Sequence, residues 1–178
     1  MVDLVVLQSV SYVAAAIGVC IATFYYAMNL RATDRNRRIQ LVSQLSQFML
    51  SEEGMKRYFE LLNMEWKNFD DFERKYGSDF NLEATAKRYA SWQNYDHLGK
   101  MLKKGMINAE DAYDLTSDGV LFQWLKWESI IFELRKRYNG EEWMSGFEFL
   151  YIEMSKLRRQ REPSYKVPET FGKYIPDK

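Results

Sequence analysis

Apolar residues dominate the first thirty positions and then recur at helical spacing through the rest of the chain. From Leu4 to Leu30 there is no Asp, Glu, Lys, Arg or His over 27 consecutive residues. A helix needs roughly 20 apolar residues to cross the hydrocarbon core of a bilayer. The pattern therefore predicts a single transmembrane helix over residues 4–30.

The next segment keeps a helical pattern without a breaking residue. Ile39, Val42, Leu45 and Met49 recur at steps of three and four, and neither glycine nor proline occurs between Arg31 and Ser51. This spacing predicts a helical stalk over 31–50 that continues the transmembrane helix.

Residues 51–161 carry repeated start and stop signals for helices. Ser51, Asn81 and Asn108 are predicted N-caps, and Gly77 and Gly105 are predicted helix ends. One helix is therefore expected from Ser51 to Gly77. In the helix after Asn81 the apolar stripe is predicted at Leu82, Ala86, Tyr89, Tyr95, Leu98 and Leu102.

Two further helices are expected beyond Ser117, separated by a turn at Asn139-Gly140. No segment shows the alternation of a strand. The predicted fold class is all-α: one N-terminal transmembrane helix continuing into a small cytoplasmic antiparallel helical bundle.

All three prolines, Pro163, Pro168 and Pro176, lie in the last sixteen residues, which predicts an extended tail over 162–178. Two roles fit its apolar residues: a docking peptide for another subunit, or a segment folded back on its own bundle. These apolar residues are Tyr165, Val167, Phe171, Tyr174 and Ile175.

Charges next to the apolar segment predict its orientation. Four arginines follow it, whereas the preceding residues Met1-Val2-Asp3 carry no basic side chain. Cytoplasmic flanks are typically the basic ones, so we expect the N-terminus outside and the C-terminal domain in the cytoplasm of a cell-membrane protein. A cleaved signal peptide would need an N-terminal cation, so cleavage is not expected. The predicted interface residues are Tyr25, Tyr26, Arg31, Arg35, Arg37 and Arg38.

Small residues recur every fourth position within the span, at Ala14, Gly18 and Ala22. They share one helix face and would let a second helix approach closely. The alternative is that alanine and glycine are simply common in membrane helices. The predicted partners are the lipid bilayer and, through this face, other membrane proteins or a second copy.

Composition limits the other classes of function. Twenty-five basic and 25 acidic residues give no net charge, so nucleic acid is not an expected partner. The lone histidine, His97, has no metal-ligating residue at helical spacing, and the lone cysteine, Cys20, lies in the apolar segment. We expect no cofactor, no metal, no catalytic residue and no evident small-molecule ligand.

Two further features suggest chemistry or binding. Residues 114–119 resemble the first half of a calcium loop, but loop position twelve is Leu125 where a glutamate is required, so calcium is not expected.

Most tryptophans lie at core spacing. Trp92 and Trp127 fit the apolar stripes least well and are predicted candidates for a partner surface.

Residues 94–149 resemble a family of small membrane-anchored helical proteins, domain of unknown function 4760. The resemblance rests on Leu98-Gly99-x-Met101-Leu102-Lys103-Lys104-Gly105-Met106-Ile107, Tyr113-Asp114-Leu115, Trp124, Ile130-Ile131, Arg135 and Trp143-x-x-x-Phe147-Glu148-x-Leu150. It implies an anchored helical domain and no particular activity.

The function expected from these patterns is a non-catalytic membrane-anchored interaction protein, an accessory subunit or scaffold of a membrane complex. The alternative is a membrane-tethered sensory or regulatory module, which would need a ligand cavity near Trp92, Tyr95 or Trp124. An enzyme is the third possibility and would need converging carboxylates in a cleft.

Overall fold

The computed structural model describes residues 4–172 and 174, except for the side chains of 4–6, 48 and 170. Asp3, Ile175 and Pro176, which entered the predictions above, lie outside the described residues. Within this part of the chain the structure is all-α, as predicted. The helices are α1 Leu4–Met49, α2 Glu52–Leu62, α3 Phe69–Tyr76, α4 Leu82–Lys103, α5 Ala109–Thr116, α6 Gly119–Tyr138, α7 Ser145–Arg161 and α8 Glu169–Gly172.

The long apolar N-terminal helix is confirmed. Helix α1 runs without interruption through both the predicted span and most of the predicted stalk. The chain divides into two units, Met1–Leu41 and Val42–Lys178. Every described side chain from residue 7 to residue 40 is exposed, including the large apolar ones.

The predicted N-caps are confirmed. Ser51, Asn81 and Asn108 each accept a hydrogen bond from the backbone N–H three residues later, at 2.7–3.0 Å. Each bond satisfies one of the N–H groups that an α-helix leaves without an internal partner. Helix α4 also ends where glycine predicted it, because Gly105 adopts the left-handed φ of 69° that a side chain disfavours.

The prediction of one helix from Ser51 to Gly77 was wrong, because the segment forms two helices. Asn63 ends α2, and Asn68 begins α3 by accepting a hydrogen bond from the backbone N–H of Asp71 at 2.9 Å. The break lets Trp66 leave the helical path and stack on the ring of Trp127 at 4.7 Å. Asn63 Nδ2 donates to the carbonyl oxygen of Phe59 at 2.8 Å, so an asparagine side chain bonds to the backbone at each side of the break and lowers the cost of interrupting the helix.

The partner-surface prediction for Trp92 and Trp127 was also wrong. Both side chains are fully buried, and their rings meet edge to face at 5.3 Å in the core of the second unit. The amide of the buried Gln123 accepts a hydrogen bond from Trp127 Nε1 at 3.0 Å. The indole therefore keeps a polar partner away from water, and this tryptophan pair contributes to packing rather than to an exposed surface.

Helix α4 lies at the centre of the second unit, and its most extensive packing is against α7. Asp96 of α4 is buried, and its Oδ1 accepts hydrogen bonds from the backbone N–H groups of Gly146 and Phe147 at 2.8 and 3.3 Å. Lys100 Nζ donates to its other oxygen at 2.5 Å. Because these N–H groups belong to the first turn of α7, Asp96 caps that helix from a different element.

The stripe predicted for α4 is buried at Tyr95 and Leu98, but over the first half of the helix it is rotated from the face observed. Leu82 is 74 % exposed and Ala86 is exposed, whereas Thr85 and Arg88 are buried. The hydroxyl of Thr85 and the guanidinium of Arg88 both donate to the carbonyl oxygen of Tyr76, at 2.8 and 3.0 Å. These bonds give Thr85 and Arg88 a polar partner at positions that apolar periodicity places in water, although Arg88 Nε has no partner among the described residues.

The described part of the tail contacts its own unit. Phe171 stacks on Phe122 of α6 with ring centroids 4.2 Å apart, and Arg158 Cζ lies 4.0 Å above the ring of Tyr165. Helix α8 adds one short turn to a segment that was predicted to be extended. The described part of the tail therefore folds back onto helices of the second unit.

Candidate functional site

The residues predicted for helix pairing all lie on α1 and are exposed: Ala14, Gly18 and Ala22. They are four residues apart, so successive members are displaced by only 40° around the helix. Outside the adjacent turns of α1, a Cβ built on Gly18 would have no described atom within 4 Å. This face is thus open along its described length.

The predicted interface residues lie further along the same helix and are likewise exposed. Tyr25 and Tyr26 come first, and the basic cluster of Arg31, Arg35, Arg37 and Arg38 follows over the next two turns. Among the described residues, α1 is the helix that is long and apolar enough to cross a membrane.

The second unit contains a pocket of about 320 Å³ between α2, α4 and the junction of α5 with α6, bordered by the end of α1. Most of its lining is apolar, with polar groups contributed by each element. Its principal residues are Met49, Leu50, Met55, Tyr58, Asn94, Tyr95, Leu115, Ser117 and Asp118. Pockets of this size and composition are typical of small-ligand sites.

Two tyrosines, Tyr58 and Tyr95, line this pocket. Tyr95 is 5 % exposed and stacks on Phe147 with centroids 4.9 Å apart. Burial raises the pKa of Tyr95 well above its usual range, and the neighbouring Tyr58 adds to the effect. Burial also raises the pKa of Tyr58, together with the charge of Asp118. Both phenols therefore stay protonated at neutral pH and can donate hydrogen bonds.

A buried amide positions one of these tyrosines. Gln123 Nε2 donates to the carbonyl oxygen of Tyr58 at 3.2 Å while its Oε1 accepts from Trp127. The bond links the first turn of α6 to the middle of α2. Sequence periodicity does not reveal it, because the two residues are 65 positions apart.

The pocket rim between α5 and α6 has a strained backbone. Ser117 has φ 46° and ψ −139°, a conformation that only glycine adopts easily, and its N–H bonds to the carbonyl oxygen of Tyr113 at 2.6 Å. The neighbouring Asp118 Oδ1 lies 3.3 Å from Arg158 Nε. Arg158 Nη1 also donates to the hydroxyl of Tyr113 at 3.1 Å, so α5, α6 and α7 are tied together beside the pocket.

Residues 114–119 do not form a calcium-type loop. Residues 114–116 belong to α5 and Gly119 begins α6, so the oxygen-bearing residues are divided between a helix and a two-residue junction. Among the described residues no group of three or more His, Cys, Asp or Glu side chains could hold a metal ion. His97 is exposed on α4.

Sequence reasoning missed two buried cations, Arg88 and Lys126, which are 3 % and 4 % exposed. Lys126 Nζ lies 4.6 Å above the ring of Trp66, and burial lowers its pKa to about 8. Their positions in the sequence give only a weak indication of burial. Both residues lie three or four positions from buried aromatics, which is also true of many surface cations.

No family model, no curated protein and no solved structure matches this chain. The resemblance of residues 94–149 to domain of unknown function 4760 therefore stays a prediction.

Proposed function

We propose that this protein is a single-pass membrane protein whose helical domain binds other proteins at the cytoplasmic face of a cell membrane. The observation that carries the proposal is the apolar surface of α1. Ile17, Ile21 and Phe24 are 54–69 % exposed, and no described residue between 7 and 40 is buried. Such a surface is strongly unfavourable in water and favourable in lipid.

The proposed orientation follows from the charges at one end of this surface. Arg31, Arg35, Arg37 and Arg38 are all exposed, and translocating them would oppose the usual distribution of basic residues. The domain after Arg31 then lies in the cytoplasm as an antiparallel helical bundle. Tyr25 and Tyr26 would lie at the level of the inner headgroups.

An interaction role fits the open face of α1 better than an enzymatic one. Lipid provides no hydrophobic driving force between helices, so association depends on close packing of small residues such as Ala14, Gly18 and Ala22. The described residues of the pocket in the second unit include no paired nucleophile and base, whereas its phenols and Asp118 are suited to binding.

Three measurements test this function. Alkaline carbonate washing should leave the full chain in the membrane pellet, and protease added outside intact cells should leave the domain uncut. Native mass spectrometry of the detergent-extracted protein should show a dimer or a complex with another protein. Release by carbonate would refute the anchor, and a solely monomeric extract would refute the interaction role.

A sensory role is the second candidate, favoured by the position of the pocket of Tyr58 and Tyr95. Met49, the last residue of α1, lines that pocket, so an occupant would contact the end of the helix proposed to enter the membrane. Binding changes an equilibrium only if it favours one state over another. Through its contact with Met49, an occupant of the pocket can favour one position of this helix end over another.

Filling the pocket tests the sensory role. A Cβ on Gly119 would lie 3.5 Å from the ring of Tyr58, so Gly119→Leu should occupy part of the cavity. We expect the ratio of assembled to monomeric protein to change at least twofold. Gly172→Leu is the control, because its Cβ would lie in open space outside the pocket. An equal response of both variants would remove the sensory role.

A further inference from the structure

Arg88 is a buried cation without an acidic partner. It lies on α4, is 3 % exposed, and packs its guanidinium against the rings of Phe72, Tyr89 and Trp92, with Cζ 4.7, 5.6 and 5.0 Å from their centroids. No described carboxylate lies within ion-pair distance of it. Buried arginines are rare in proteins unless they are paired.

The hydrogen-bond donors of the Arg88 guanidinium are satisfied only in part. Nη1 donates to the carbonyl oxygen of Tyr76 at 3.0 Å, which is the one hydrogen bond of this side chain to a described residue. Nε is buried and has no hydrogen-bond partner among the described residues. Burial lowers the pKa of Arg88 to about 10, so it still carries its charge at neutral pH. The bond to Tyr76 and the aromatic faces compensate a full charge incompletely.

A pocket opens next to this cation. It has a volume of about 220 Å³, lies between α3, α4 and α6, and is lined by Arg88 together with Phe69, Phe72, Leu134 and Tyr138. An adjoining pocket of about 350 Å³ shares Tyr89, Leu134 and Tyr138 with it. The two pockets thus have an apolar and aromatic wall in common.

The acidic residue lining the pocket is engaged elsewhere. Glu73 Oε2 lies 3.5 Å from Arg137 Nη1, and the guanidinium of Arg137 in turn stacks on Phe69 at 4.0 Å. The carboxylate of Glu73 is therefore directed to the outer cation and leaves Arg88 without a counter-ion.

We propose that this pocket, termed the Arg88 pocket, binds a small organic monocarboxylate whose apolar or aromatic body packs on Phe69, Phe72, Leu134 and Tyr138. The planar guanidinium supplies charge-assisted hydrogen bonds to the carboxylate. The aromatic walls supply the contact for the body, in keeping with the mostly apolar lining of ligand sites. This ligand class goes beyond the proposed membrane interaction, which does not depend on it.

Lys126 provides the matched comparison within the same domain. It is equally buried and also lies over an aromatic ring, that of Trp66, but it does not line the Arg88 pocket. A general effect of removing a buried cation would appear in both Lys126 and Arg88 variants, whereas loss of a carboxylate site would appear only for Arg88.

Ligand-observed ¹⁹F NMR with 4-fluorobenzoate tests the proposal on the full chain in detergent, with empty micelles as blank. We expect saturable binding of 4-fluorobenzoate and at least tenfold weaker binding of the neutral 4-fluorobenzamide. Arg88→Met keeps the apolar stem and should weaken benzoate binding about tenfold or more, the scale of one charge-assisted pair. Lys126→Met should leave it within twofold of wild type.

Two further variants keep the test decisive if Arg88→Met folds poorly. Ser78 is exposed and lines the pocket, so Ser78→Trp should block entry while leaving Arg88 in place, and benzoate binding should fall by a similar factor. Arg88→Lys keeps the charge without the planar fork and should bind with intermediate affinity. Absence of saturable binding in wild type, equal binding of acid and amide, or unchanged binding in Arg88→Met and Ser78→Trp would each overturn the proposal.

Discussion

Gly99 of α4 and Gly146 of α7 face each other in close contact where the two helices cross. A Cβ built on Gly99 would be 1.8 Å from the carbonyl oxygen of Gly146, and one built on Gly146 would be 2.2 Å from the carbonyl oxygen of Asp96. The same approach brings the Asp96 carboxylate within hydrogen-bond distance of the first N–H groups of α7. The close crossing and the cap therefore depend on each other.

Replacing Gly99 with alanine should be strongly destabilising. The added methyl group meets backbone atoms that cannot rotate away, so the helices must separate and the bonds to Asp96 must lengthen. We expect a loss of about 3 kcal/mol in the free energy of unfolding, despite the higher helix propensity of alanine. Urea unfolding of the detergent-solubilised protein measures it.

Gly119→Ala is the control for that measurement. Its Cβ would lie 3.5 Å from the ring of Tyr58, an ordinary contact, so stability should change by less than about 1 kcal/mol. Equal losses in Gly99→Ala and Gly119→Ala would show that the close helix crossing is not what requires glycine at position 99.

Ser117→Gly should stabilise the protein. The side chain is exposed and the backbone adopts a conformation with φ 46° and ψ −139°, so glycine relieves strain without removing a buried contact. We expect a gain of about 1 kcal/mol, seen as a higher melting temperature. Asn139→Gly is the comparison: Asn139 has a left-handed φ of 52° that asparagine tolerates, so its gain should be only a few tenths of a kcal/mol. A destabilised Ser117→Gly would contradict the strain.

Lys126 predicts a specific pH dependence. Burial lowers its pKa to about 8 in the folded protein, whereas an exposed lysine titrates near 10.5. Between these values the unfolded chain binds a proton that the folded chain does not, so stability should rise with pH from about 8 to about 10.5. Below pH 8 both states are protonated and the destabilisation is constant.

Lys126→Met isolates this effect from the other groups that titrate in the same range. At pH 7 the variant should be more stable than wild type by about 2 kcal/mol, because it removes the cost of a buried charge that its contact with Trp66 offsets only in part. The difference should shrink as pH approaches 10.5. Parallel stability curves for the two proteins from pH 7 to 10.5 would contradict the lowered pKa.

Gly18→Ile tests the open face of α1. Outside the adjacent turns of α1, a Cβ at residue 18 meets no described atom within 4 Å, so a change in assembly would come from contacts with another molecule. We expect less dimer or complex in native mass spectrometry and unchanged membrane fractionation, because isoleucine is at least as apolar as glycine. Ala16→Ile is the control, since residue 16 lies about 160° from residue 18 around the helix. Equal assembly in wild type and Gly18→Ile would mean that this face contacts lipid only.

Helix α4 shows why the sequence predicted some elements well and others poorly. Its start at Asn81 and its end before Gly105 depend on neighbouring residues, and both are as predicted. Its buried face depends on distant residues: Arg88 and Thr85 turn inward because the carbonyl oxygen of Tyr76 accepts from them. Apolar periodicity alone cannot account for polar residues that are buried with a partner.

The sequence by itself determined the all-α class, the long apolar N-terminal helix and the N-caps at Ser51, Asn81 and Asn108, because each follows from composition or from bonds spanning three or four residues. Only the tertiary structure decided the break between α2 and α3, the burial of Trp92 and Trp127, and the Arg88 pocket. These depend on contacts between residues far apart in the chain, where packing and hydrogen bonding outweigh the local preference of each segment.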